Sequence, residues 1–447
     1  GNFILKKRFS TFGFCYIPCM NFMKCFKLVI LLFSTTLFAA EWTLEDCLKR
    51  AEESSLSIQV SKLSEEQANV AIKTAKIDRY PSLSASINNT LYDNPFVEGP
   101  QDHYRLSLGL NGSMVLWNGG ATSLSIETAQ IDKQAAEKRT ALATLNIQVS
   151  VLDAFYALLN ANEKIEVAKK ALEISEAEAE NQFKLFEAGS ITKRDLVLAK
   201  ADAAQKKVSL LSAEQSKINA ETTLRQLLEI SREEEFSIKS ENLETLTPDS
   251  LENLLSVEDL LKKAKEKNPN LAADSLAILS AEKNVKLAGK NSSISVTLGA
   301  QAGTGLQAWE SGAYGDQLKY GYNHSITLGI NIPIIDKGTT TNKVLNAQIQ
   351  SEKSKITQQE TEKSLENLIE QLYLNALAAE NQWQATILQV EANEAAFKVA
   401  EDQKNLGAIT YTDYLSYRSE LETSKLTLTQ AKYTALLARA LLELYCK

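Results

Sequence analysis

Few residues of this 447-residue chain are of types that do chemistry, and their spacing assembles no reaction site. Two histidines, His103 and His324, stand in strand-flanking positions. Neither lies near a serine or cysteine elbow, or near a carboxylate at metal-ligand spacing. No glycine loop of the phosphate-binding type occurs. Acidic runs such as Glu233-Glu234-Glu235 read as solvated charge. No catalytic residue, no metal ligand and no cofactor is therefore expected. The acids that share a context are Asp195 and Asp413, each three residues after the threonine of a Gly-x-Ile-Thr turn: Gly189, Ser190, Ile191, Thr192 and Gly407, Ala408, Ile409, Thr410. An acid there suits the first turn of a helix, where it complements the helix dipole. Of five cysteines, Cys15, Cys19 and Cys25 precede residue 40; Cys47 and Cys446 remain, free to pair but under no requirement to do so.

The elements that position these residues are unusually long. After Gly120 the next glycine is Gly189, and after Gly338 it is Gly407, with no proline inside either interval. Glycine and proline punctuate secondary structure, so each interval predicts one continuous helix, 120–188 and 339–406, about 100 Å long. Shorter helices over 191–230 and 409–446 follow the turns. Ahead of all this, Met23-Lys24 with Lys27, the apolar run Leu28 to Phe33 and Ala39-Ala40 form an export signal, with residues 1–22 as upstream sequence. Residues 1–40 hold five basic residues and no acid, which leaves 43 basic against 56 acidic residues and argues against nucleic acid as a partner. No run of 18 apolar residues follows residue 40, so a membrane crossing would have to be a barrel.

The chain is also duplicated. At an offset of 218, Ala129-Gln130 matches Ala347-Gln348, Phe155 matches Tyr373, and Gly189, Ile191, Thr192 and Asp195 match Gly407, Ile409, Thr410 and Asp413. Residues 41–230 form the first repeat, 231–255 a linker with Pro248, and 256–447 the second repeat. Each repeat opens with one helix and then a strand pair, expected at 82–92 and 104–117 and at 293–303 and 320–335. Apolar residues alternate with polar ones, as in Leu106, Leu108 and Leu110 against Arg105, Ser107 and Asn111, over the length a tilted strand needs to cross an outer membrane. Tyr92, Tyr104, Trp117, Trp309 and Tyr320 near the strand ends suit interfacial girdles. Four strands cannot close a barrel, since the smallest has about eight. The helices likewise carry heptad seams that need neighbours, Leu142 to Leu159 and Val197, Ala201, Ala204, Val208 and Leu211. The fold class is mainly α with a small β part. An exported coiled-coil structural or tether protein without channel activity is the competing reading.

The duplicated order, with Tyr80-Pro81-Ser82-Leu83 opening the first strand, Trp117-Asn118-Gly119-Gly120 and Ile335-Asp336-Lys337-Gly338 closing the strand pairs, and the two Gly-x-Ile-Thr turns, resembles the TolC family of outer-membrane factors over about Trp42 to Tyr445. The resemblance implies a homotrimer whose long antiparallel hairpins form an α-barrel and whose strands form a 12-stranded β-barrel. It implies a passive exit duct of a tripartite efflux or type I secretion system, in the cell outer membrane with a long periplasmic extension. The partners it implies are a periplasmic adaptor, an inner-membrane pump and outer-membrane lipid. Gly189–Thr192 and Gly407–Thr410 would be the adaptor-contacting tips, and Asp413 and Asp195 would line a pore constriction. The family's tyrosine and arginine gate residues correspond to Lys404 and Ile409, and a second family aspartate to Ser416, so its gate does not carry over.

Overall fold

The computed structural model describes residues 41–91, 96, 104–239, 256–307 and 314–446. The export signal, Tyr92, His103, Trp309, Pro248 and most of the linker lie outside them. In the first repeat come β1 (Glu41–Trp42), α1 (Leu44–Ser54), α2 (Leu56–Ile77), β2 (Ser82–Leu91), β3 (Tyr104–Asn118), α3 (Ala121–Glu187) and α4 (Lys193–Leu227). The two-residue β4 (Ser237–Ile238) follows, and the second repeat gives α5 (Val257–Lys267), α6 (Pro269–Gly289), β5 (Ser295–Gln307), α7 (Tyr314–Tyr320), β6 (Asn323–Asn331), α8 (Thr339–Asn405) and α9 (Tyr411–Cys446). Helices α3 and α8 each run 67 residues without interruption.

Three features depart from the sequence reading. The opening helix of each repeat is two helices, broken at Ser55 and at its repeat counterpart Asn268. Asn268 precedes Pro269, which disfavours helical backbone at the preceding residue; its side chain then caps α6 by accepting from the Asn270 and Leu271 N–H groups. The fourth strand is shorter than 320–335. Pro333 has no N–H to give a ladder, and the chain before Gly321 coils into α7, which takes part of the expected loop and Tyr320, the first residue of the expected strand. One helix, α3, does contain a window long and apolar enough to span a bilayer. Its Val151, Leu152, Phe155, Leu158 and Leu159 are instead buried, and Val151, Phe155, Leu158 and Leu159 pack with Cys47 and Ala51 of α1, Leu224 of α4 and Tyr433 of α9.

The repeats share the backbone course and one capping bond of their strand-to-helix corners. Asn118 Oδ1 accepts from the Thr122 N–H at 3.2 Å, and Asp336 Oδ2 from the Thr340 N–H at 2.9 Å. The next residue is left-handed in both, Gly119 at φ +65° and Lys337 at φ +55°, followed by Gly120 at +83° and Gly338 at +80°. Of these corner glycines only Gly119 is sterically fixed, because an added Cβ would lie 2.3 Å from Ser293 Cβ, whereas Gly120 and Gly338 have open space.

These elements stand side by side in one layer. The sheet is antiparallel in the order β2-β3-β5-β6. Beside it the helices stand in the order α2, α3, α6, α8, and towards the hairpin turns in the order α4, α3, α9, α8. A parallel pair between β1 and β4, with Trp42 against Phe236, stitches the chain at mid-height.

Candidate functional site in the strand sheet and hairpin tips

Register fixes the two faces of the sheet. Leu108 lies opposite Ile87 and Thr304, Leu110 opposite Ala85 and Ala302, and Leu298 opposite Met114 and Leu328. Paired residues of an antiparallel ladder share a face, so these form one apolar surface. Leu83, Ile87, Leu91, Ile326, Leu328 and Ile330 on it are exposed, with no second layer covering them. The opposite surface carries Ser84, Ser86, Asn88, Ser107, Asn111, Thr297, Gln301, Ser325 and Thr327. Apolar outward and polar inward is the pattern of a transmembrane barrel wall.

At the far end, both hairpins turn identically. The Gly189 N–H donates to the Phe186 carbonyl and the Ser190 N–H to the Leu185 carbonyl, both at 2.9 Å. Gly407 and Ala408 repeat this with Lys404 and Gln403, at 3.0 and 2.8 Å. This closure needs a left-handed residue, supplied by Gly189 at φ +73° and Gly407 at φ +69°. The next helix is then capped. The Thr192 hydroxyl donates to Asp195 Oδ2 at 2.7 Å and accepts from the Asp195 N–H, and Thr410 and Asp413 do the same. Both aspartates thus serve as capping acids within one protomer, with Asp413 exposed and Asp195 half-buried. Ser190, Ala408 and Thr410 are exposed at the tips, and Ile191 and Ile409 half-buried.

Just above the tips lies a cluster that the sequence reading missed. It joins hairpin α3/α4 to hairpin α8/α9. Arg418 of α9, only 3% exposed, places its guanidinium 3.5 Å from Asp202 of α4 and 3.1 Å from Glu422, and donates to the Ala171 carbonyl and the Ser175 hydroxyl of α3. Lys206 of α4 pairs with Glu422. Lys404 of α8 pairs with Glu178 of α3 at 2.6 Å, its ammonium 4.1 Å from the Tyr414 ring centroid. Three carboxylates therefore meet three cations, and the cluster is neutral. Burial, with Glu178 and Asp202 nearby, pushes the Tyr411 hydroxyl well above its ordinary range. The one readable signal was Arg418 itself, a charge standing in a heptad seam between Tyr414 and Leu421. Among the described residues no group of His, Cys, Asp and Glu is placed to hold a metal ion.

A family model described as "outer membrane efflux protein" matches residues 47–229 and 260–445, one block per repeat. The chain belongs to the outer membrane efflux protein family. It is accordingly an outer-membrane exit channel and not an enzyme, which sets the tether reading aside. Solved structures of similar fold include CusC, studied for the conformational changes of folding and transmembrane channel formation. It is 17% identical over 92% of this chain and 93% of that one, with a TM-score of 0.76. The Campylobacter jejuni outer membrane channel CmeC is 17% identical over 90% and 85%, TM-score 0.73. The Vibrio cholerae outer membrane protein VceC is 19% identical over 90% and 95%, TM-score 0.69. No curated protein sequence matches the chain. Within this efflux family fold the internal duplication and the mainly helical wall are shared features.

Proposed function

We propose that three copies of this chain close into one passive conduit, the exit duct of a tripartite efflux or type I secretion system. The observation that carries this is that the protomer ends in open edges at every level. In the sheet the edges are β2 and β6; in the helical wall they are α2 and α8, then α4 and α8. Apolar side chains stand exposed on those helical edges, Val60 and Leu63 on α2, Val208 and Leu211 on α4, Ile349 and Ile356 on α8. The seam Val197 to Leu211 faces out of the protomer, so its partner belongs to another copy. Two copies would make a barrel of about eight strands, just wide enough to be filled by side chains. Three leave a lumen, which the small polar residues of the inner face suit.

The tips Gly189–Thr192 and Gly407–Thr410 are the surfaces that would meet a periplasmic adaptor coupled to an inner-membrane pump. Their exposure and their distance from the sheet support that role. The cluster of Arg418, Asp202, Glu422, Lys206, Lys404 and Glu178 would hold the hairpins together in a closed entrance. Asp413, exposed below it, would form an acidic ring favouring cations, with Asp195 behind. Membrane fractionation, native mass and planar-bilayer conductance test the reading together. A detergent-dependent trimer that conducts supports it, and a soluble monomer refutes it. In the same bilayers, Asp413→Ala should weaken block by divalent cations; unchanged block removes the ring.

A further inference from the structure

We propose that Arg105 is the fixed charge of the barrel's inner wall and forms, in the trimer, a cationic ring at the outer mouth that favours anionic solutes at the exit. The inference rests on the trimeric conduit proposed above.

Strand register places the side chain. Arg105 pairs with Thr90 on β2 and Gln307 on β5, and its neighbours Tyr104 and Leu106 fall on the apolar surface. Arg105 is therefore on the polar, inward face, and it is exposed. It stands one residue from the end of β3 that is remote from the long helices of the wall, since Asn118 at the other end leads into α3.

Composition makes it singular. The inward positions of the four described strands are Ser, Thr, Asn, Gln and Gly, apart from Val115 beside the bulge of β3 and Arg105. Among the described residues of β2, β3, β5 and β6 no Asp, Glu or Lys occurs, so no strand of this sheet offsets the guanidinium. At the repeat offset of 218 its counterpart is the neutral Asn323, so duplication did not copy the charge. The protein as a whole carries a net charge of −8, so surface balance does not account for a lone cation in the wall. Among the described residues no carboxylate pairs with the guanidinium; the side chain is exposed, and a neutral polar residue would satisfy the pleat equally well.

Rings of arginine or lysine in a pore attract anions, and arginine keeps its charge at any physiological pH. The field of an exposed ring reaches about one Debye length, about 10 Å at 0.1 M salt and about 3 Å at 1 M. Anion preference should therefore be evident in dilute salt and fade in concentrated salt.

The test uses the full-length trimer in planar bilayers under a KCl gradient, comparing the unmodified protein with Arg105→Gln and Arg105→Glu. The chloride-to-potassium permeability ratio should fall by roughly twofold in Arg105→Gln and further in Arg105→Glu at about 0.1 M salt, and converge at about 1 M. Inorganic triphosphate added on the strand-loop side should reduce conductance of the unmodified protein and lose that effect in Arg105→Glu. A conducting trimer whose ratio is the same in all three proteins overturns the inference alone; neutralisation by a loop carboxylate would give that result. An unmodified protein that neither trimerises nor conducts overturns the conduit and this inference with it.

Discussion

Arg418 shows how much a single side chain can commit. Its charge is buried in a helical seam and balanced by Asp202 and Glu422, while its Nη1 has no hydrogen-bond partner. Removing one partner of such a buried pair destabilises by about 3 kcal/mol, whereas replacing both partners together by apolar residues of similar volume is often tolerated. Asp202→Ala should therefore lower the unfolding midpoint, while Asp202→Leu combined with Arg418→Met, which removes both charges and leaves Glu422 with Lys206, should cost less stability and still unclasp the hairpins. Denaturant melts set beside single-channel recordings separate the two, and equal loss of stability in both variants would count against this account. None of this was legible in the sequence beyond the seam position of Arg418. The contacts join residues 226 positions apart for Lys404 and Glu178, and 243 apart for Arg418 and Ser175. No local period reports pairings of that separation. The tips were legible because a left-handed glycine and a Thr-x-x-Asp cap are local devices.

At the scale of elements, the duplication preserved geometry more faithfully than side chains. The corner before α3 uses the uncharged Asn118, and the corner before α8 the carboxylate of Asp336. Hydrogen bonds from Thr340, and from the Gly338 N–H, hold that carboxyl below the usual carboxylate range. A group depressed in the folded state stabilises it fully above the unfolded value, about 4, and the contribution is lost as pH falls through the folded value. Acid should thus loosen the α8 corner while the α3 corner is unaffected, and Asp336→Asn should make the two respond alike. Amide spectra of Thr122 and Thr340 between about pH 5 and 2 would show it; a pH-dependent Thr340 signal in Asp336→Asn would contradict it. The long helices and alternating strands were readable from glycine spacing and period-2 pattern. The breaks at Ser55 and the coil of α7 were not, because neither interrupts an apolar pattern.

The whole protomer is an incomplete object, a strip of wall with apolar residues along its edges. Val208 on α4 illustrates the point. It is 58% exposed, on the face of α4 turned away from the protomer's own buried residues Leu196 and Ala199. Val208→Lys should leave the helical content of the folded protomer intact and shift native mass from trimer towards monomer. Circular dichroism with native mass spectrometry checks this, and an undisturbed trimer would place the interface elsewhere. The sequence announced the need for a neighbour through four strands that close nothing. It was silent on which edge meets which, since that depends on the order of helices in space.

The mid-height stitch sets an order of events in time. Glu41 and Trp42 pair with Ser237 and Ile238, and the Trp42 carbonyl accepts from the Lys239 N–H at 3.0 Å. During vectorial export Glu41 and Trp42 emerge before the rest of the repeat, but their strand partners Ser237 and Ile238 follow only nearly two hundred residues later. Their docking marks completion of the first repeat. A stalled or truncated chain would therefore present a loose leading segment, a flag that quality-control proteases could read before any barrel forms.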